Sequence, residues 1–175
     1  MLKEKIQSYQ KVFDQFFTDS EIISQMEAAE MEIRSAQRLF FVGNGGSNSI
    51  CSHMMEDFCK IANYPTFAFS DAALITCFAN DYGYDRAMAE WLKRHLHEGD
   101  LLIAISSSGN SANIINAVKQ AKTSGAKTVT LSGFKPNNKL RTLGDVNIYT
   151  PAEDYGMVEC FHQTILHMIL DALGE

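Results

Sequence analysis

Short unbroken runs of apolar residues alternate with longer amphipathic stretches from Arg38 to the end of the chain. Such runs are typical of strands that are buried on both faces of a parallel sheet. We predict strands at residues 39–42, 66–69, 101–105, 128–131 and 146–149. Helical periodicity predicts helices at about residues 48–62, 71–79, 84–97, 110–123, 137–143 and 155–173. The regular alternation favours an α/β fold, a five-stranded parallel sheet flanked by helices.

The first 37 residues have a different pattern. Apolar positions recur every three or four residues from Ile6 to Phe16 and again from Ile22 to Ile33, which predicts two helices. Between them, Thr18–Glu21 (TDSE) interrupts the pattern and offers a helix cap. A helix pair that precedes a sheet domain has few strands to cover and often buries its apolar face against another subunit. We therefore expect residues 1–37 to be an oligomerisation segment. Residues 38–175 would form the sheet domain.

Composition narrows the function classes. The chain has 175 residues, is 46% hydrophobic and carries a net charge of −6, which makes non-specific nucleic-acid binding a poor candidate. No apolar run is long enough to cross a membrane, and the N-terminus lacks the apolar core of a signal peptide. The cysteines are scattered without a CxxC spacing, so we expect buried, reduced thiols and a cytoplasmic protein.

Two polar loops directly follow predicted strands and lead into predicted helices. They are Gly43–Ser47 (GNGGS) and Ser106–Ser111 (SSSGNS). In parallel sheets, ligands bind beyond the carboxyl ends of the strands, and a helix N-terminus attracts an anion. Glycine allows close approach of the backbone, and serine adds hydroxyl donors. The pattern favours a single terminal phosphate.

Other interpretations of these loops stay open. A P-loop needs a lysine that both loops lack, whereas a dinucleotide site needs a glycine where Asn48 stands. Asp71, after the second predicted strand, could still serve as the ribose-binding acid of such a site. Each loop could also be no more than a capped helix start with surplus polar residues.

Titratable side chains lie on two predicted helices. His53 and Asp57 are four residues apart, so they share one helix face. Glu159, His162 and His167 lie on the apolar last helix, where each histidine alone could be a core residue with a satisfied partner. Glu159 and His167 are eight residues apart, which is about 12 Å along a helix. A site that used both is therefore expected at a subunit interface.

Three motifs in order resemble the SIS-domain phosphosugar proteins. They are GNGGS, FANDYGYD (Phe78–Asp85) and ISSSGNSANI (Ile105–Ile114), followed by a closing helix with spaced histidines. The resemblance runs from about residue 38 to residue 173 and is closest to the phosphoheptose isomerases. It implies a flavodoxin-like three-layer sandwich and a cytoplasmic homotetramer with sites between subunits. It also implies isomerisation of sedoheptulose 7-phosphate to D-glycero-D-manno-heptose 7-phosphate through an enediol, which feeds nucleotide-activated heptose for lipopolysaccharide or capsule.

Carried over position by position, the resemblance implies a set of site residues. Those implied to bind the substrate are Asn44, Gly45, Gly46, Ser47, His53, Asn80, Asp81, Ser106, Ser107, Ser108, Ser111 and Glu159. The four serines of the second loop would hold the phosphate. Asp57 and His167 would be the catalytic acid–base pair. Some family members carry zinc in this cluster.

Two departures from the family pattern affect the chemistry. Asp57 stands where the family has its catalytic glutamate, and Glu159 stands where it has a glutamine. A base displaced by about 1 Å can lose on the order of 100-fold in rate. The set His53, Asp57, Glu159 and His167 combines imidazoles and carboxylates, which suits zinc or another divalent metal. The alternatives are a non-catalytic tetramer that binds the replication initiator, a phosphosugar sensor, or an isomerase of another phosphosugar.

Overall fold

The apolar runs form one parallel sheet in the computed structural model, which describes residues 1–174. Its strands are β1 (Leu39–Val42), β2 (Thr66–Ala68), β3 (Leu101–Ser106), β4 (Lys127–Ser132) and β5 (Val146–Tyr149). The strand order is β2-β1-β3-β4-β5, and every neighbouring pair is parallel. The predicted five-stranded parallel sheet is therefore confirmed, and its order is that of flavodoxin-like folds.

Helices cover both faces of this sheet. They are α1 (Leu2–Phe16), α2 (Ser20–Ser35), α3 (Gly46–Lys60), α4 (Ala72–Tyr82), α5 (Tyr84–His95), α6 (Ala112–Thr123) and α7 (Tyr155–Leu173). Residues of α1, α2, α3 and α7 share one apolar core with the sheet, and those of α4, α5 and α6 share the other. This is the expected three-layer sandwich. Within residues 1–174, no helix has the length and apolar character needed to cross a bilayer.

The two cores follow from the alternation of side chains along buried strands. Phe40 on β1 faces α5, where its ring lies 5.7 Å from that of Trp91. The next residue, Phe41, faces α3, where its ring lies 5.8 Å from that of Phe58. Because both faces are covered, every residue of β1 and β3 is buried.

The N-terminal helices pack on this sandwich through aromatic side chains. The rings of Phe13 and Phe16 on α1 lie 4.4 Å and 4.9 Å from the ring of Phe161 on α7. Such contacts make α1 part of the core that positions α7. The assignment of residues 1–37 to oligomerisation remains a prediction.

Two local predictions are wrong. The helix predicted at residues 137–143 is only a 3-10 turn, Leu140–Thr142. The reason is Asn138, whose buried amide donates to the carbonyls of Gly133 and Lys135 and accepts from the backbone N–H of Arg141, which favours a turn over a helix. The strand predicted at residues 66–69 ends at Ala68 and lies at the sheet edge, with Phe67 partly exposed, rather than buried on both faces.

The cysteines also differ from the prediction. Cys51 is buried, and burial raises the pKa of its thiol. Cys59, Cys77 and Cys160 are exposed, because they lie on the outer faces of their helices. The expectation that all of these thiols are buried is therefore wrong.

Candidate functional site

The two polar loops meet at one pocket of about 140 Å³. The first loop follows β1 and the second follows β3, and the strand order reverses between these two strands. Such a reversal leaves a crevice beyond the carboxyl ends of the strands, where ligands bind in α/β sheets. The residues that line the pocket are Asn44, Ser47, Ile105, Ser106, Ser107, Ser108, Ser111, Tyr155 and Glu159.

The pocket offers hydrogen-bond donors to an anion. Helix α3 begins at Gly46, and α6 begins just after its N-cap residue Ser111, so two helix N-termini with unpaired N–H groups border it. Gly45 adopts φ +53°, a conformation that suits glycine and allows the turn into α3. Within residues 1–174 the buried hydroxyl of Ser107 has no hydrogen-bond partner. These groups could bind a phosphate.

A pair of asparagines joins the two loops. The Asn44 amide nitrogen donates to Asn113 Oδ1 at 3.0 Å, and the Asn113 amide nitrogen donates to Asn44 Oδ1 at 2.8 Å. Tyr84 adds its hydroxyl, which donates to Asn44 Oδ1 at 2.7 Å. Asn113 is buried, so its amide depends on this pairing.

Sequence reasoning missed the roles of Asn113 and Tyr84. Both lie inside motifs that the sequence analysis singled out, which was the available signal. Their contacts depend on how α5 and α6 pack beside β1, and no local pattern reports that packing.

The serine loop rests on the segment that follows β4. The Gly133 N–H donates to the Ser107 carbonyl at 3.0 Å, and the Leu140 N–H donates to the Gly109 carbonyl at 2.9 Å. Gly109 has φ +62°, and a Cβ at this position would overlap the side chain of Asn138. Hydrogen bonds and close packing with the segment after β4 therefore hold the loop in place, and this arrangement orients its serines.

A second group of side chains forms where α3 packs against α7. His53 Nε2 lies 3.0 Å from Asp57 Oδ2, and His167 Nδ1 lies 3.8 Å from the same oxygen. The two imidazole rings are 5.1 Å apart and nearly perpendicular. Asp57 is mostly buried, whereas the side chains of His53 and His167 are 52% and 37% exposed. This imidazole cluster can transfer protons, and its ligand atoms all lie within 4.8 Å of one another, close enough to share a metal ion.

Glu159 lies apart from the imidazole cluster. Its carboxylate covers Gly46, where an added Cβ would collide with both carboxylate oxygens, and it lines the serine-lined pocket. Glu159 and His167 are separated by about 12 Å of helix rise. Among the described residues, the structure thus groups His53, Asp57 and His167 and places Glu159 beside the proposed phosphate loop.

His162 is the core histidine of α7. It is fully buried, and its Nε2 lies 3.3 Å from the carbonyl oxygen of Ser132. Burial lowers its pKa to about 4, because desolvation disfavours the charged imidazole. His162 is therefore neutral near pH 7 and supports the end of β4 from inside the core.

The remaining candidates lie around α4. Asn80 and Asp81 are exposed near its C-terminal end, where the Asn80 amide donates to Asp81 Oδ1 at 3.0 Å, and they are absent from the lining of the serine-lined pocket. Their binding of sugar hydroxyls stays a prediction. Asp71 caps α4 by accepting from the Leu74 N–H at 2.9 Å. The acid that a dinucleotide site would need is thus engaged in a helix cap.

Comparison with known proteins gives a consistent family. The SIS domain family model matches residues 6–133. The phosphoheptose isomerase of Fusobacterium nucleatum is 33% identical over 180 residues, which cover 96% of this chain and 92% of that protein. The phosphoheptose isomerase of Vibrio cholerae is 31% identical over 185 residues, covering 100% and 96%.

A solved structure shows the same fold. The phosphoheptose isomerase GmhA from Neisseria gonorrhoeae aligns with a TM-score of 0.88 at 23% identity, over 99% of this chain and 98% of that one. Because the alignment covers nearly the whole of both chains, the likeness of fold includes the N-terminal helices as well as the sheet domain.

Proposed function

The chain belongs to the SIS domain family, and on this basis we propose that it is an aldose–ketose isomerase that converts sedoheptulose 7-phosphate to D-glycero-D-manno-heptose 7-phosphate. One observation carries the proposal. Helix α7 borders an anion pocket at Glu159 and an acid–base cluster at His167, in a chain whose full-length relatives are phosphoheptose isomerases. The product would feed nucleotide-activated heptose for lipopolysaccharide or capsule.

The serine-lined pocket would bind the phosphate group of the sugar. Ser106, Ser107, Ser108 and Ser111 supply hydroxyl groups, and the N-terminus of α6 supplies backbone N–H groups. Binding energy at this end would hold the reacting carbons in place at the other end. Asn44, Gly45, Gly46 and Ser47 would border the sugar, with Asn80 and Asp81 at its hydroxyls.

The imidazole cluster would carry out the proton transfers. Isomerisation requires a base that removes a proton from C1 and an acid that protonates the carbonyl oxygen at C2. The enediol then gains a proton at C2 while the C1 hydroxyl loses its own. Asp57 and His167 are the acid–base pair, and His53, 3.0 Å from Asp57, orients that carboxylate. Because aspartate is shorter than the family's glutamate, the substrate must approach the helix more closely.

The same cluster has a donor set that suits zinc. Two imidazoles and one carboxylate whose ligand atoms lie within 4.8 Å of one another match the ligands of catalytic zinc sites. His53, Asp57 and His167 would hold the ion, with Glu159 a further donor only if α7 or its side chain shifts. A bound divalent ion would polarise the substrate carbonyl.

We propose a cytoplasmic homotetramer with its sites at subunit interfaces. Leu2 and Ile6 on α1 and Met168 on α7 are large apolar side chains that are 77%, 58% and 43% exposed. A groove of about 440 Å³ runs between α2 and α7. Exposed apolar surface of this kind favours association. The exposed thiols of Cys59, Cys77 and Cys160 suit a reducing compartment.

The test is turnover of sedoheptulose 7-phosphate by wild type and by His167→Ala. We expect the variant to lose isomerisation while keeping the circular dichroism spectrum and oligomeric state of wild type. The exposed His97 provides the matched control, and His97→Ala should keep full activity. Near wild-type turnover in His167→Ala would contradict the assignment. The alternative, a non-catalytic tetramer that binds the replication initiator, is not favoured by relatives that are named as isomerases.

A further inference from the structure

Gln163 lies one turn before His167 on α7, between that imidazole and α3. Its amide nitrogen is 2.8 Å from His167 Nε2 and 2.9 Å from the sulfur of Met54. The side chain is partly buried, so these contacts replace water. Gln163 thus contacts the ring nitrogen of His167 that faces away from Asp57.

The contact with Met54 favours one orientation of the amide. A thioether sulfur can accept a hydrogen bond but cannot donate one, so the structure places the NH₂ group of Gln163 against it. An amide oxygen in that place would set lone pairs against the sulfur. The same NH₂ group therefore donates its second hydrogen to His167 Nε2, which must then be unprotonated.

The proton of the neutral imidazole consequently lies on Nδ1. This nitrogen is 3.8 Å from Asp57 Oδ2, which is too long for a hydrogen bond but close enough for attraction between the N–H and the carboxylate. Two independent neighbours of the ring, an amide on one side and a carboxylate on the other, therefore favour the same tautomer.

We propose that Gln163 is a positioning residue that fixes the tautomer of His167, so that the imidazole presents an N–H to the substrate and Asp57 acts as the base. The assignment rests on the proposed isomerase function. Asp57 takes the proton from C1 and returns it to C2. His167 gives its Nδ1 proton to the carbonyl oxygen on C2 and receives the proton of the C1 hydroxyl, so both groups end in their starting states.

This tautomer also has a consequence for metal binding. If His167 were to hold a divalent ion through Nδ1, the atom nearest Asp57, its ring proton would have to lie on Nε2. Gln163 could accept a hydrogen bond from that Nε2–H only through its oxygen, and its NH₂ group would then have to turn away from the sulfur of Met54. Gln163 therefore weakens metal binding, whereas a carboxylate at this position would strengthen it.

Two variants separate these roles. Gln163→Met keeps the volume and removes the donor, so the two tautomers of His167 should mix. Gln163→Glu offers only acceptors, so the proton should move to Nε2. We expect kcat to fall by about 10- to 100-fold in both variants with KM within about twofold, and zinc affinity to rise by about 10-fold in Gln163→Glu. Gln120→Met, which replaces a partly buried glutamine on α6, should change none of these quantities.

The decisive readout is the long-range ¹H–¹⁵N spectrum of substrate-free protein labelled at histidine, at about pH 8, where free imidazoles are neutral. The His167 signals are assigned by their loss in His167→Ala. Wild type should show a protonated Nδ1 and an unprotonated Nε2. A wild-type ring protonated at Nε2, or an unchanged tautomer in both Gln163 variants, would refute the proposal. Because this spectrum needs no substrate, a failure of the isomerase assignment would appear separately, as absent turnover in wild type.

Discussion

Burial of His162 makes acid stability a direct test of the core beneath the serine loop. Within the described chain its Nδ1 has no hydrogen-bond partner, and its pKa is lowered to about 4 from the ordinary 6.5 because burial disfavours the charged ring. Between these two pH values the unfolded chain binds a proton that the folded chain does not. The free energy of unfolding should therefore fall as the pH falls from about 6.5 towards 4.

The size of the effect follows from the two pKa values of His162. With 6.5 in the unfolded chain and about 4 in the folded chain, this histidine alone should remove about 2 kcal/mol of stability between pH 7.5 and pH 5. Domains are typically stable by about 5–15 kcal/mol, so this loss is measurable. Staying at or above pH 5 limits the contribution from carboxylates.

The assay is urea unfolding at several pH values and one fixed protein concentration, because subunit association would also affect stability. His162→Phe removes the titrating group and keeps an aromatic ring of similar size. Whatever its stability at pH 7.5, this variant should lose about 2 kcal/mol less than wild type on going to pH 5. His97→Gln, which removes an exposed imidazole, is the control. Equal losses in wild type and His162→Phe would show that His162 is not held neutral by burial.

Two further predictions concern the pocket. Asn113→Leu removes both hydrogen bonds to Asn44 and leaves the amide of Asn44 poorly paired. Thermal unfolding should show a loss of stability of about 1–3 kcal/mol, and KM should rise. An unchanged KM would mean that this pair does not hold the two loops together. Glu159→Gln removes a negative charge beside the serine loop, and calorimetric titration should show inorganic phosphate binding about fivefold tighter, a gain of about 1 kcal/mol. Unchanged or weaker binding would place the carboxylate away from the anion.

Most of the fold could be predicted because burial on both faces leaves a clear local signature. The run LLIAIS of β3 has no polar residue before its final serine, and the structure buries all of it. The helix predicted at residues 137–143 is absent because the side chain of Asn138 competes for backbone groups, which periodicity does not report. The burial predicted for the second strand is wrong at Phe67, because strand order, not composition, decides which strand lies at the sheet edge.

The site residues also divide into those that local sequence indicated and those that depend on tertiary packing. The serine loop and the pairing of His53 with Asp57 depend on neighbours in sequence, so their spacing indicated them. The roles of Asn113 and Gln163 depend on residues 69 and 109 positions away, which only the packing of helices and strands brings into contact. Asn113 lies inside a singled-out motif and Gln163 is four residues from His167, but neither fact indicated the distant partner.

The asparagine pair has a consequence for how this site can change. Asn44 and Asn113 belong to segments that follow different strands, and within the pair each amide donates one bond and accepts one. Replacing either residue alone disrupts both bonds at once. Reshaping the pocket for a different sugar, by natural drift or by design, therefore requires paired exchanges at the two positions, and the two loops should be grafted together as one unit.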